Sequence, residues 1–318
     1  MTEKSAKGLP PTREEALGVL ALPDGRLDEL LEGAFALRQA HKGMKVGVQL
    51  LSSARSGGCT QDCAYCAQAK DSTADIETYR AADYRRLDAT RARIDALKLA
   101  RHCIGLSGLR FTDEEIEEFA AKVARLRASS PTPICCSIGF LTEAQARRLK
   151  EAGVGRINHN LNTGRRHYPK ICTTHGYDER LANLAMLRRV GFELCCGGIV
   201  GMGEGDEDVA DLFEDIAAVA PEAVPVNFLI PLAGTKLAEA ETARLTPAYC
   251  LKVLCLARFT APRADVRCAA GREVYLAGHE REMFMAVDSV FASGYLTAGG
   301  QGVEDTLRLI REAGFEPE

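Results

Sequence analysis

Short apolar or β-branched runs alternate along this chain with longer stretches in which apolar residues recur at helical spacing. The short runs predict strands at Lys45–Leu51, His102–Ser107, Pro133–Ile138, Gly155–Asn160, Phe192–Val200, Val224–Ile230, Ala264–Ala269 and Ser289–Phe291. The longer stretches predict helices, and several carry a readable start or stop. Thr112-Asp113-Glu114-Glu115 opens one that runs to Ala128, with acidic residues at the end of the helix dipole that favours them. Thr142 and Gln145 have capping-box spacing, and Gly153 stops the helix they begin. Tyr177–Val190 ends before Gly191, Asp206–Val219 before Pro221 and Thr246–Thr260 before Pro262; Leu276–Val287 and Val303–Ala313 close the series. Thr12–Leu20 and Leu27–Gly43 are helical patterns ahead of the first strand.

Strand and helix alternating about eight times is the pattern of an α/β protein of the (β/α)8 TIM-type barrel class. An open, doubly wound sheet is the alternative, because a sequence does not display closure. The expected division is a helical extension over 1–44, placed to cap the barrel bottom, and a barrel with a C-terminal segment over 45–318. In a barrel, chemistry is expected at the C-terminal ends of the strands.

Composition narrows the function classes. With 46% apolar and 26% charged residues the chain is not of the disordered type. Forty basic residues against 44 acidic ones leave no positive excess for binding nucleic acid through bulk charge. The most apolar stretch, 216–234, is interrupted by Pro221, Glu222, Pro225 and Pro231, so no membrane span is expected. The first residues carry charge but no apolar core of a secretory signal, which points to the cytoplasm. In that reducing setting twelve cysteines are expected as metal ligands, catalytic groups or small buried hydrophobes.

Three of them follow the first predicted strand closely, in Gly57-Gly58-Cys59-Thr60-Gln61-Asp62-Cys63-Ala64-Tyr65-Cys66. Such spacing can present three thiolates to one metal centre. Four would close a structural zinc site, whereas three leave one metal position open, as in an iron–sulfur cluster whose unique iron binds something else. A zinc knuckle lacking one ligand, or buried free cysteines, are the plainer alternatives. Cys103, Cys135 and Cys195 fall in three different predicted strands, and inward side chains of several strands meet only inside a barrel. Any one of them alone reads as a small buried hydrophobe.

Cys59-x3-Cys63-x2-Cys66 with an aromatic at Tyr65 resembles the radical S-adenosylmethionine (SAM) superfamily, and Tyr65-Cys66-Ala67-Gln68 narrows the resemblance to the biotin synthase family. Further segments are similar to that family: Asn158-His159-Asn160-Leu161-Asn162-Thr163, Thr173-Thr174 through Arg180, Cys195-Cys196-Gly197-Gly198-Ile199-Val200-Gly201, Val224-Pro225-Val226-Asn227 and Val266-Arg267 with Ala270-Gly271-Arg272-Glu273. The resemblance runs from about Leu27 to Thr297.

It implies a [4Fe–4S] cluster on Cys59, Cys63 and Cys66, with SAM on the fourth iron. Tyr65, Asn160, Asn162, Arg180, Gly197, Ile199, Gly201 and Asn227 would lie on the SAM and substrate side. It also implies an auxiliary cluster, [2Fe–2S] or larger, on Cys103, Cys135, Cys195 and Arg267. The implied reaction is sulfur insertion into dethiobiotin. A 5′-deoxyadenosyl radical abstracts hydrogen, the auxiliary cluster gives up sulfur, and Cys59, Cys63, Cys66 and Arg267 are the catalytic set. A flavodoxin or ferredoxin would supply electrons to a cytoplasmic homodimer. A radical SAM relative with another substrate, of the hydrogenase-maturase or mutase kind, is the rival, and a non-catalytic iron–sulfur or zinc scaffold is a rival of another class.

Two departures stand out. Asn162 replaces the aspartate of the family pattern, which changes how many hydrogen bonds that position accepts. A second cysteine follows three ligand positions, Cys136 after Cys135, Cys196 after Cys195 and Cys268 after Arg267. Neighbouring strand residues face opposite ways, so either the second set packs outward or a bulge turns it in. The repetition raises the expectation of a cysteine-richer cluster with Cys268 as a ligand. Cys172 matches no ligand position, Cys250 and Cys255 read as helix-borne core residues, and His175 reads as an ordinary buried or surface histidine.

Overall fold

Three helix starts are set by side chains that fold back on their own backbone. In the computed structural model, which describes residues 1–294 and 299–318, Thr12, Thr112 and Thr142 each accept a hydrogen bond from the amide three residues on. Glu15, Glu115 and Gln145 in turn accept one from the threonine N–H. Each box satisfies two amides that a first helical turn leaves unpaired, worth about 1 kcal/mol.

The helices are α1 (Thr2–Ala6), α2 (Arg13–Leu20), α3 (Leu27–Lys42), α4 (Tyr84–Leu97), α5 (Asp113–Ser129), α6 (Glu143–Glu151), α7 (Tyr168–Ile171), α8 (Tyr177–Val190), α9 (Asp206–Val219), α10 (Pro247–Thr260), α11 (Arg272–Tyr275), α12 (Glu280–Ala286) and α13 (Val303–Glu312). The strands are β1 (Lys45–Arg55), β2 (Arg101–Leu106), β3 (Ile134–Ser137), β4 (Val154–Asn158), β5 (Glu193–Cys195), β6 (Gly198–Val200), β7 (Ala223–Phe228), β8 (Asp265–Ala270), β9 (Ser289–Ala292) and β10 (Glu316–Pro317). None of the described helices is long and apolar enough to cross a membrane.

All strand pairs are parallel, and the order β1-β2-β3-β4-β5-β7-β8-β9 closes by pairing β1 with β9. The fold is therefore the closed (β/α)8 barrel, and the open-sheet alternative falls. The expected single strand Phe192–Val200 is two pieces, β5 and β6, both paired with β7. The break has a local cause. A Cβ at Gly197 would lie 1.9 Å from the Pro225 carbonyl oxygen, and Pro225 has no N–H to offer the ladder.

Helix α4 has no counterpart in the sequence pattern, since Leu87 and Ile94 are its only buried residues and its other positions are mostly polar. Helix α10 is the opposite case: every residue from Tyr249 to Thr260 is buried, including Cys250 and Cys255. The reason is position. Strands β7 and β8 cover its inner side, while α1, α2 and α3 pack against it from outside. The N-terminal helices pack over α9, α10 and α12. The Arg38 guanidinium of α3 reaches the N-terminal rim, donating to the carbonyls of Gly43, Lys45 and Val287. The C-terminal residues return to the barrel as β10, which pairs with the start of β1. Thr297, the end of the sequence resemblance, lies outside the described residues.

Alternation sorts the strand side chains. On β2, Cys103 faces the interior, while His102 and Ile104 face the outer helices. His102 is 1% exposed; its Nε2 lies 2.6 Å from Ser52 Oγ and its Nδ1 has no partner. Burial pushes its pKa down to about 4. The folded value is below the unfolded one near 6.5, so the unfolded chain binds the extra proton between those pH values. Stability from the neutral ring is complete above pH 6.5 and is lost as pH falls toward 4. Between pH 7 and pH 4.5 the loss is on the order of 2 to 3 kcal/mol. Thermal melts across that range should therefore show a smaller acid drop in Tm for His102→Gln than for the parent chain. An equal drop would remove His102 as the cause.

Candidate functional site

After β1 the chain turns through Gly57 and Gly58, at φ +73° and +62°. The first turn is forced, since a Cβ on Gly57 would sit 2.5 Å from Thr78 Cγ2. The loop so formed carries Cys59, Cys63 and Cys66, all partly buried, to the edge of a cavity of about 290 Å³. The C-terminal ends of the strands and the loops after them make the other walls, with Ser107, Ser137, Asn158, Asn160 and Asn227 as polar points and Leu106, Ile138, Phe228 and Leu229 as apolar surface. This is where a barrel keeps its chemistry.

The loop thiols stand apart. Among the described residues, the group of three possible ligands with donor atoms all within 4.8 Å of one another is Cys63, Cys172 and His175. At least one pair among Cys59, Cys63 and Cys66 is therefore wider than that. Such a spread suits a multi-iron cluster with one thiolate per iron better than a single ion.

Asn162 links the loop to the strands. It holds a left-handed conformation, φ +74°, which asparagine tolerates, and its backbone bridges to Gly198. Its Nδ2 donates to Tyr65 Oη at 2.9 Å. Arg180 is fixed three ways: Nε donates to Tyr168 Oη at 2.6 Å, Nη1 to the Asn160 carbonyl at 2.9 Å and Nη2 to His175 Nε2 at 2.7 Å. Two of its five N–H groups remain for a ligand. Asn227 donates Nδ2 to the Gly198 carbonyl, while its buried Oδ1 has no partner. An orphan acceptor on a cavity wall is a place for a ligand N–H.

Beneath the cavity floor lies a second set of thiols. Cys103 and Cys135 are register partners on β2 and β3, and Cys195 is the partner of Asn158 on β4. With Ala223, Ala269 and Phe291 they form a small cluster separate from the main core. Cys103 Sγ donates to Gln49 Oε1 at 3.2 Å, and Asn158 Nδ2 donates to Cys195 Sγ at 3.2 Å. A hydrogen bond from Cys135, helped by the Arg267 charge, pushes the Cys103 thiol down. The donor Cys135 is pushed up to about 12 by the same bond and by burial.

Arg267 enters this space with Nη1 4.0 Å from Cys195 Sγ. Its other groups face the protein: Nε donates to Ser289 Oγ at 3.0 Å and Nη2 to Asp265 Oδ2 at 2.6 Å. Asp265 also lies 3.5 Å from Arg156 Nη1 and accepts from Ser289 Oγ. Burial would raise the Asp265 pKa, but Arg267, Ser289 and Arg156 outweigh it and hold the carboxyl well below its usual range. The site floor is thus Arg267 and Arg156 on the buried Asp265 carboxylate, with Glu193 2.9 Å from Arg156 on its other side, under three thiols.

Alternation decides the doubled cysteines. Cys136, Cys196 and Cys268 are each 0% exposed and belong to the main core outside the barrel wall, not to the Cys103–Cys135–Cys195 cluster. Cys268 therefore does not join that set. No bulge turns it inward, since β7 and β8 keep register from Ala223/Asp265 to Val226/Cys268. Gly197 and Gly201 do not line the cavity, whereas Tyr65, Asn160, Asn162, Arg180, Ile199 and Asn227 do. Gly201 holds φ +105°, and a Cβ there would meet Leu245 at 2.7 Å.

Cys172 and His175 were missed by sequence reading. His175 is 6% exposed and lines the cavity, and Cys172 lies behind Cys63, their sulfurs 3.7 Å apart. The Cys63 hydrogen bond, with others from His175 and Thr174, pushes Cys172 down and Cys63 up. The available signal was a Cys-x2-His spacing within a segment already marked as site-bearing.

Comparison with known proteins gives the following. The model of the radical SAM superfamily matches residues 54–216, and that of the biotin and thiamin synthesis associated domain matches 225–316. The biotin synthase of Geobacillus kaustophilus is 38% identical over 318 residues, which is 100% of this chain and 95% of that protein. That of Magnetococcus marinus is 39% identical, over 99% of this chain and 98% of its own length. Among solved structures, methylornithine synthase superposes with a TM-score of 0.85 at 16% identity, covering 100% of this chain and 97% of that one. A maturase of the [FeFe]-hydrogenase gives 0.81 at 14%, covering 100% and 75%. At such identities these two speak for the fold alone.

Two outcomes follow from the geometry. Iron and sulfide bound after anaerobic reconstitution should be unchanged in Cys268→Ala and reduced in Cys195→Ala; the reverse would place Cys268 inside. Asp265→Asn removes the carboxylate shared by Arg267 and Arg156, leaving Arg156 its Glu193 pair but the buried Arg267 no counter-charge, and should lower unfolding stability by about 3 to 5 kcal/mol in denaturant titrations of the metal-free chain. A loss below 1 kcal/mol would show that water or another group already balances Arg267.

Proposed function

This chain belongs to the biotin synthase family of the radical SAM superfamily, and on that premise we propose that it converts dethiobiotin to biotin, with one iron–sulfur cluster on Cys59, Cys63 and Cys66 and an auxiliary one on Cys103, Cys135 and Cys195. The observation that carries the reading is two separate sets of three thiols in one barrel, one at the cavity edge and one under its floor. The barrel itself does not select the substrate, because a methylornithine synthase and a hydrogenase maturase share it.

When bound, the upper cluster and SAM supply a radical able to take hydrogen from unactivated carbon, and the auxiliary cluster supplies sulfur. The protein's part is to hold, orient and exclude water. Arg180, fixed by three of its own hydrogen bonds, offers its two remaining N–H groups and a permanent charge to a carboxylate such as that of SAM. The Tyr65–Asn162 pair sets one side wall. Because Asn162 is an amide, it donates to Tyr65 where the family's aspartate could only accept, so the tyrosine hydroxyl keeps its own proton for a ligand acceptor. The orphaned Asn227 Oδ1 is suited to a ureido N–H of dethiobiotin, and the Leu106, Ile138 and Leu229 side chains to its hydrocarbon part.

Arg267 acts in this reading as counter-charge and hydrogen-bond donor to the auxiliary centre. Asp265 and Ser289 already engage it as a cation, and only Nη1 faces a sulfur. The proposed chemistry asks for no nucleophile–base pair. A flavodoxin or ferredoxin as electron donor and a cytoplasmic homodimer complete the proposal.

The test is anaerobic incubation of the reconstituted chain with dethiobiotin, SAM and reductant. Biotin should form, and Cys59→Ala should abolish both biotin and 5′-deoxyadenosine. Cys195→Ala should lose biotin while still releasing 5′-deoxyadenosine. Release of 5′-deoxyadenosine from the parent chain without biotin would transfer the reading to another substrate.

A further inference from the structure

We propose that Cys63, Cys172 and His175 form a mononuclear site for a thiophilic divalent ion such as Zn2+ in the cluster-free chain, and that this ion and the loop-cysteine cluster exclude each other. The ion site stands on geometry alone; the exclusion rests also on Cys63 being a ligand of the proposed cluster.

The first argument is a distance. Cys63 Sγ and Cys172 Sγ are 3.7 Å apart. Two thiolates bound to one tetrahedral ion at about 2.3 Å each stand about 3.8 Å apart. The pair is therefore already spaced as the edge of a single-ion tetrahedron. Thiolates on different irons of a cluster splay away from each other, so Cys172 is no fourth ligand for the cluster that takes Cys63.

His175 supplies the third ligand. Its Nδ1 lies 3.2 Å from Cys172 Sγ, and the donor atoms of all three residues lie within 4.8 Å of one another. Two sulfurs and one imidazole nitrogen are the donor set that zinc prefers over harder cations. The segment is also held firmly. Asp62 accepts hydrogen bonds from the amides of Thr173 and Thr174 and from both hydroxyls, which pins the Cys172–His175 turn against the Cys63 loop.

The exclusion has two parts. Cys63 Sγ is wanted by both centres. In addition, Arg180 Nη2 now donates to His175 Nε2, so an ion on Nδ1 would require the ring proton on Nε2 and would release that Arg180 contact. Loading the ion thus undoes part of the rim that faces SAM in the proposed function. The site is suited to a state before cluster assembly or after cluster loss.

The experiment uses the full-length chain, iron-free, reduced and kept anaerobic, with Co2+ as an optical probe. In a Cys59→Ala/Cys66→Ala background, Co2+ should give tetrahedral visible bands and sulfur-to-cobalt charge transfer. Adding Cys172→Ser should remove one of the two sulfur contributions. It should also weaken binding by at least the roughly tenfold that loss of a mere outer-shell partner costs. His175→Gln should weaken binding without loss of sulfur intensity. Cobalt taken up by Cys103, Cys135 and Cys195 is common to these chains and cancels in the difference spectra. Circular dichroism of the metal-free variants must match the parent; if Cys172→Ser misfolds, the His175→Gln titration decides. Spectra and affinity unchanged by both substitutions would overturn the site.

For the exclusion, Zn2+ preloading should slow the rise of iron–sulfide absorbance during reconstitution of the parent chain and not of Cys172→Ser. Equal slowing in both would overturn it. Neither arm measures biotin, so either can fail while the dethiobiotin assay succeeds.

Discussion

In a closed parallel barrel alternate side chains of every strand must share one narrow interior, and nothing inside can be moved to an edge. That constraint organises this molecule. It divides each doubled cysteine into an inward thiol and an outward one, so Cys135 and Cys195 meet Cys103 while Cys136, Cys196 and Cys268 pack under the outer helices. It also brings Gln49, Arg156, Asp265, Arg267 and Ser289, from four different strands, into one polar floor. TIM barrels more often fill this space with branched apolar residues.

A charged floor is costly unless it closes on itself. Here Asp265 joins two guanidiniums and Glu193 answers Arg156 from its other side, so the field at the thiols above is that of Arg267, the cation nearest them. That field favours thiolates and an anionic metal centre, and it lowers the cost of desolvating them. In the proposed reading the same arrangement accounts for an arginine among cysteines, as a cation held by Asp265 that offers a donor rather than a lone pair.

The cavity edge is built on a different principle. Its thiols ride on a loop, where spacing is set by turns and hydrogen bonds rather than by strand register. Cys172 approaches Cys63 from another part of the chain outside any strand register. The two halves of the site therefore differ in how much rearrangement they permit before any metal arrives.

Much of this was legible in the chain itself. The eightfold alternation gave the barrel class, and the helix starts read at Thr12, Thr112 and the Thr142–Gln145 capping box are ones the structure keeps. The Cys59–Cys63–Cys66 spacing pointed to a metal loop, because local spacing within one turn survives folding. Helix α4 was not legible, since its stability comes from two buried residues and not from an apolar period. Closure, the break at Gly197, the outward course of Cys268 and the meeting of Cys63 with Cys172 were decided only in three dimensions. Each depends on which backbone lies opposite, as Pro225 does at Gly197, and a sequence orders residues along the chain without saying what faces them.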